Sequence, residues 1–320
     1  MRVLMVLAFL LAALPAAAEP PPPLTAPLDQ GHPLVGRIWL PDRAMFTTAD
    51  EVVERMRRAD AVLLGETHDN ADHHALQAWA LRRLVAADRR PLVAFEMIDT
   101  SQGEALAAHL AARPADTAGL GAALGWDKSG WPDWTLYRPI AEAALAAGGM
   151  APANLSREDT RAIAKGNVPT ALAGRLGLEQ PVEAGLRQAM EAEIRSGHCD
   201  MLPDRALPAM VRVQRARDAM MARAVADGLA ARGSAVLIAG TGHARADRGV
   251  PLHLAAMAPG RGTFVLAFLE VQEGRTEPAA YAELYDADRL PFDAAWFTPR
   301  AERPDPCEGF RKHMEKKAEK

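Results

Sequence analysis

Cysteine is nearly absent. Two residues in a chain of 320, Cys199 and Cys307, are too few for a disulfide framework. An oxidising compartment allows one bridge between them; a buried Cys199 and an exposed Cys307 is the equal alternative. Aromatic residues make up only 5% of the chain, with three tyrosines. A basic excess is missing too: 37 Lys and Arg stand against 41 Asp and Glu, a net charge of −4. That leaves no electrostatic footprint for nucleic acid. Beyond residue 20 no stretch reaches about 18 consecutive apolar residues, so none is expected to span a bilayer. No internal repeat of fixed period is visible.

What is present begins with Arg2, an apolar run from Val3 to Leu14, and Ala16-Ala17-Ala18 before Glu19. This pattern predicts a secretory signal peptide over residues 1–18. The run is too short for a core of roughly 30 Å. A lipoprotein signal would set Cys where Glu19 stands, so the expectation is a free periplasmic protein without stable membrane insertion. Five prolines between Glu19 and Leu28 predict a linker over residues 19–31. A main domain is then expected over 32–300 and a charged tail over 301–320.

Within that domain a pattern recurs. Ala61 to Leu64 is apolar and ends in Gly65-Glu66-Thr67-His68; Leu92 to Phe95 ends in Glu96; Met150 to Ala153 ends in Asn154. Ala235 to Ala239 ends in Gly240-Thr241-Gly242-His243. Short apolar runs alternating with helical patterns predict buried parallel strands and crossover helices. Thr263 to Val271 is a later strand, expected at an edge. Thr48 with Glu51 and Ser101 with Glu104 predict helix starts. No strand is expected over about 166–232, which reads as an all-helical insertion. The fold class is α/β: a mostly parallel central sheet flanked by helices, with a helical subdomain.

In parallel sheets, ligands bind beyond the carboxyl ends of the strands. Glu66, His68, Glu96, Asn154 and His243 should therefore converge. The glycines are expected to let the chain turn sharply off each strand. Two imidazoles with a carboxylate could hold a divalent first-row metal ion, the set being His68, His243 and Glu66. Glu66 and Glu96 could then serve as catalytic acid and base. The structural alternative is hydrogen bonding between loops, with Arg161 or Arg245 neutralising the carboxylates. His73 and His74 point to different faces of the helix that Asp69 or Asn70 caps. Trp126, Trp131, Trp134 and Tyr137 form either a small core or a flat platform, and a phenolate can ligate haem iron.

In order along the chain, several blocks then carry a resemblance. They are Leu64 to Asn70 with His73, His74 and Gln77; Phe95-Glu96-Met97; Trp131 to Pro139; and Ala153 to Arg157. After them come His198-Cys199 with Met201-Leu202-Pro203, Gln214 to Ala219, and Ile238 to Arg245 running into Gly249-Val250-Pro251. Together they resemble the ChaN family of haem-binding uptake proteins, within the Tiki-like superfamily. The resemblance implies an envelope protein of haem and iron acquisition, with haem as ligand and an uptake system as partner. It is compatible with a homodimer. Tyr137, His68, His243, Arg245 and Asn154 become the candidate haem-binding residues, Tyr137 as the phenolate. The chain departs from family members that are lipoproteins, and Asp200 stands where a small residue is expected. The superfamily also holds metal-dependent proteases and esterase-like proteins. A metal-dependent hydrolase is therefore the alternative, and a scaffold without a ligand the third reading.

Overall fold

The apolar runs form the centre of an eight-stranded sheet. In the computed structural model, residues 19–178, 181–305 and 307–311 are described. The expected signal segment 1–18 and the tail beyond 311 lie outside them.

The elements in order are β1 (Ile38–Leu40), β2 (Met45–Thr47), α1 (Ala49–Arg58), β3 (Ala61–Glu66), α2 (Ala71–Ala86) and β4 (Leu92–Asp99). Next come α3 (Gly103–Ala112), α4 (Thr117–Ala123), α5 (Trp134–Ala147), β5 (Met150–Asn154) and α6 (Arg157–Ala164). The second half holds α7 (Ala184–Gly197), α8 (Leu207–Arg232), β6 (Ala235–Gly240), α9 (Thr241–Ala244), α10 (Val250–Met257), β7 (Thr263–Glu270) and β8 (Ala294–Thr298). The sheet order is β2-β1-β8-β7-β3-β6-β4-β5. Strands β3 to β8 run parallel, whereas β1 pairs antiparallel with β2 and β8.

The α/β reading therefore holds, with one correction: β7 is not an edge strand. It lies between β8 and β3, since Ala294 to Thr298 continues the sheet beyond it. The edges are β2 and β5.

Side-chain alternation sorts the core into two layers. Val62 and Leu64 of β3, with Val93 and Phe95 of β4, meet α1, α2 and α5 on one face. Ala61, Leu63 and Ala94 meet α8 and α10 on the other. Part of the stretch expected as an insertion, the long helix α8, thus carries Met221, Val225 and Leu229 onto the sheet.

Two local readings change, and one of two open alternatives is met. The Pro-rich stretch is seated rather than free: the backbone N–H groups of Thr25 and Ala26 donate to Asp72 at 2.8 and 2.9 Å, and Trp79 Nε1 donates to Glu19 O. Ser101 does not cap α3; Asp99 caps a short 3₁₀ turn before it. Cys199 and Cys307 are bonded, their Cα atoms 5.7 Å apart across 108 positions of sequence. Thr48 and Asn70 cap α1 and α2 as expected.

Candidate functional site

Chain order places the site. From β3 the chain passes over to β4 and β5, returns to fill the gap with β6, then goes to β7 on the far side of β3. This reversal leaves a crevice beyond the carboxyl ends of β3, β6 and β4.

Register then fixes which way each carboxylate points. Glu66 pairs with Gly240, while Phe95 pairs with Ile238. Glu96 consequently stands one level below Glu66, on a strand two places away. In parallel register, one level means the opposite face. Glu66 projects toward α2 and α5; Glu96 projects toward α8. Both carboxylates are 1% exposed.

On the first face both oxygens of Glu66 have polar neighbours. Tyr137 donates its hydroxyl to Glu66 Oε1 at 2.9 Å, and His68 Nδ1 lies 2.9 Å from the same oxygen. His74 Nδ1 is 3.1 Å from Oε2, an ion pair too poorly aligned for a hydrogen bond. Its Nε2 donates to His68 O at 2.8 Å. Burial works against ionising Glu66. The neighbouring His74 charge and the His68 hydrogen bond outweigh it, taking the pKa down to about 2. For His68 and His74 burial also opposes the charge, and the carboxylates prevail and raise both.

On the second face Glu96 accepts from Arg217 Nη2 and from the backbone N–H of Gly240, each at 2.8 Å. His243 Nε2 lies 3.3 Å from it. The other ring nitrogen, Nδ1, is 2.6 Å from Asp218 Oδ1. Burial disfavours charge on His243, yet Glu96 and Asp218 raise its pKa to about 9. Burial takes Asp218 up to about 6 in spite of His243. Near neutrality the imidazolium therefore lies between two carboxylates. Asn154 ties β5 into the group, donating to Glu96 O at 2.9 Å and accepting from Arg217 Nε at 3.2 Å.

His68 links the two faces. Its Nδ1 serves Glu66, and its Nε2 is 4.0 Å from Glu96 Oε2 without a hydrogen bond among the described residues. The side chain is 34% exposed. Its ring meets Trp131 edge-on, with centroids 4.9 Å apart. A carboxylate holding one imidazole nitrogen turns the other outward as a donor, an arrangement common at ligand sites. Gly240 makes room for it: a Cβ there would stand 3.0 Å from His68 Nε2. At Gly65 a Cβ would be 3.1 Å from Ala244 Cβ. Neither glycine has positive φ, so the expected sharp turn is instead a close approach.

Beside this group opens a cleft of about 690 Å³, within the range of small-molecule pockets. Trp131, Met97, Leu155 and Val213 supply apolar walls; Lys128, Arg157, Arg161 and Arg217 line it as well.

Glu66, His68, Glu96, Asn154 and His243 are thus brought together. Two candidates are not. Arg245 is 1% exposed and points away from the cleft, toward Asp247 and Tyr285 O. It follows the short helix α9, which turns it toward Glu193 and Tyr285. Tyr137 is wholly buried and its hydroxyl is spent on Glu66, with burial and that carboxylate pushing its pKa far up. It is not an available phenolate. Nor do His68, His243 and Glu66 share a metal site: among the described residues no group of three or more His, Cys, Asp or Glu side chains is arranged to hold an ion. The donors are turned onto one another across the sheet. The partner of Glu96 is Arg217, not Arg161 or Arg245.

Sequence reasoning placed Gln214, Arg217 and Asp218 in a block that carries the resemblance but did not name them as site residues; Gln214 Nε2 lies 3.1 Å from His243 Nδ1. A signal exists: they fall at i, i+3 and i+4, one face of a helix that otherwise packs on the sheet. Trp126 and Trp134 form a small core with Tyr137, and only Trp131 reaches the cleft.

The profile described as haem-binding uptake, Tiki superfamily, ChaN, matches residues 52–254. The chain belongs to the ChaN family. Among solved structures it is similar to ChaN of Campylobacter jejuni, described with cofacially bound haem. The TM-score is 0.62 at 21% identity, covering 81% of this chain and 95% of that one. At this identity the likeness is one of fold. The type III effector HopBA1 matches with a TM-score of 0.42 and 14% identity over 86% of this chain and 97% of the other. A mutant of erythromycin esterase EreC gives 0.43 and 12% over 84% and 99%. No curated protein matches the chain in sequence.

The residues present fit a haem. A tetrapyrrole needs an apolar wall, cations for two carboxylates and an axial donor for iron. The cleft offers Trp131 and Leu155 and the four basic side chains; His68 does not line it but stands behind two residues that do, its ring against Trp131 and its Nε2 4.0 Å from Glu96 Oε2. Tyrosine cannot serve: Tyr137 and Tyr281 are buried, and Tyr285 lies outside the cleft.

Proposed function

We propose that this ChaN-family protein binds haem in the cleft bounded by Trp131, Leu155 and Arg217, as an exported component of haem uptake. The observation that carries the reading is His68. It is a part-exposed imidazole, anchored through Nδ1 by a buried carboxylate, edge-on to Trp131. When bound, the haem iron supplies a coordination position for this imidazole. The protein's own part is to hold the ring, exclude water from one side and neutralise the carboxylates. Glu66 fixes the His68 ring; Arg217 keeps Glu96 charged without presenting a bare anion to the ligand. Lys128 and Arg161 are exposed cations at the lip, suited to propionates. Export is supported by the Cys199–Cys307 bridge, since such bonds persist in oxidising compartments.

Haemin titrated into the purified protein should give a saturable Soret band. Lys128→Glu with Arg161→Glu, both at exposed positions, should weaken binding roughly tenfold or more without changing the melting temperature. Absence of any saturable band at micromolar haemin would end this reading. Export is tested separately, by locating the full-length chain in cell fractions. Retention in the cytoplasm with both thiols free would refute it.

A further inference from the structure

Two rims of the cleft are held very differently. One is the start of α6. Ser156 caps that helix, its hydroxyl accepting from the N–H of Asp159 at 3.0 Å. Leu155 and Ile163, 4% and 1% exposed, seat it in a core shared with Ala216 and Ala219 of α8. The other rim is the loop between α4 and α5, which brings Lys128, Ser129 and Trp131 into the lining.

Trp126 and Trp134 bury the two ends of this loop, but residues 127–131 between them contribute no buried side chain. Gly125 and Gly130 bracket the tip with φ of 63° and 88°, a path that other residues rarely take. The loop's own bonds are local. Lys128 donates its N–H to Gly125 O and Ser129 to Trp126 O, and Trp131 N–H reaches Ser129 Oγ at 3.1 Å.

From outside the loop, a single side chain makes the hydrogen bonds that reach its tip among the described residues. Arg157 Nη2 donates to Lys128 O at 3.0 Å and to Ser129 O at 3.1 Å. One guanidinium nitrogen carries two hydrogens, one for each carbonyl. Arg157 is the first residue of α6 and lines the cleft. Its bonds therefore run from the firm rim to the loose one.

Trp131 is what depends on this link. It is the aromatic wall of the cleft, and its ring meets His68 edge-on. With no buried neighbour in the tip to fix it, its place follows from where the loop is tied.

We propose that Arg157 is a positioning residue of this cleft: it clamps the Trp131 loop to α6 and so sets the aromatic wall, and it does not itself meet the ligand's carboxylates. The clamp stands on geometry alone; its consequence for binding rests on the haem reading.

The full chain labelled with 5-fluorotryptophan, free of ligand, reads the clamp by itself. The Trp131 fluorine signal, assigned by its loss in Trp131→Phe, should shift or broaden in Arg157→Ala. Arg157 is exposed, so the melting temperature should stay that of the parent. Haemin and haemin dimethyl ester read the consequence. Arg157→Ala should weaken both by a like factor, about tenfold, because an aromatic wall serves either. Lys128→Glu with Arg161→Glu should weaken haemin alone. In a Trp131→Ala background, Arg157→Ala should change haemin affinity by less than about twofold. An unmoved Trp131 signal would overturn the clamp. A loss confined to haemin, or one undiminished in the Trp131→Ala background, would overturn the positioning role and make Arg157 a ligand contact. A shifted Trp131 signal in a chain that gives no haemin band would overturn the haem reading, and with it the role in binding, while the clamp stood.

Discussion

Glu66 and Glu96 sit at the ends of two parallel strands that flank β6, equally buried, and yet do different work. On the α2–α5 face, Glu66 is enclosed by Tyr137, His68 and His74 and does not line the cleft. On the α8 face, Glu96 lines the cleft and is held by Arg217, Gly240 and His243. The difference follows from a single step of register. One face builds an anchor and the other builds a wall, with His68 reaching from the first to the second.

The contrast is broken most severely by Glu66→Ala. Two imidazoles and a phenol would lose their common partner in a fully buried place. The expected loss is about 3–5 kcal/mol, read from denaturant unfolding at neutral pH. Glu96→Ala should cost less, about 1–3 kcal/mol, because His243 keeps Asp218 and Arg217 is part-exposed. Equal losses would contradict the division between anchor and wall.

Both faces should also respond to pH, each through a carboxylate held low and a histidine held high. His243 has a raised pKa, so its contribution to stability is complete below about 6.5 and is lost as pH rises through about 9. Glu66 has a lowered one; its contribution is complete above about 4.5 and is lost as pH falls through about 2. Melting temperature measured against pH should therefore decline at both ends, and His243→Gln should reduce the alkaline limb, leaving the part that His68 and His74 supply. The smallest effect is expected from Gly240→Ala. Its methyl must displace His68, costing roughly 1 kcal/mol of stability and weakening haemin binding more than it weakens the fold.

Much of this was legible beforehand. Glycine, glutamate and histidine directly after apolar runs mark strand ends, and strand direction alone gathers Glu66, His68, Glu96, Asn154 and His243. The ordered blocks from Leu64 to Pro251 pointed to the family. Other features depend on where chain segments far apart in sequence meet. The Tyr137 side chain looked available because helical spacing does not reveal that α5 packs it against β3. Arg245 follows His243 by two residues, but α9 turns it toward Glu193, Asp247 and Tyr285. Arg217 and Asp218 were hidden in an Arg-rich helix, since nothing local says which of its faces meets Glu96. Likewise β8 carries little sequence signal, and without it β7 reads as an edge.

Haemin titration of His68→Ala beside Tyr137→Phe tests the central claim most directly. Tyr137→Phe should keep the Soret position and affinity of the parent, with a modest loss of stability. His68→Ala should shift the band and weaken binding roughly tenfold or more. An unchanged His68→Ala spectrum, or a band lost in Tyr137→Phe while its fold persists, would contradict the account.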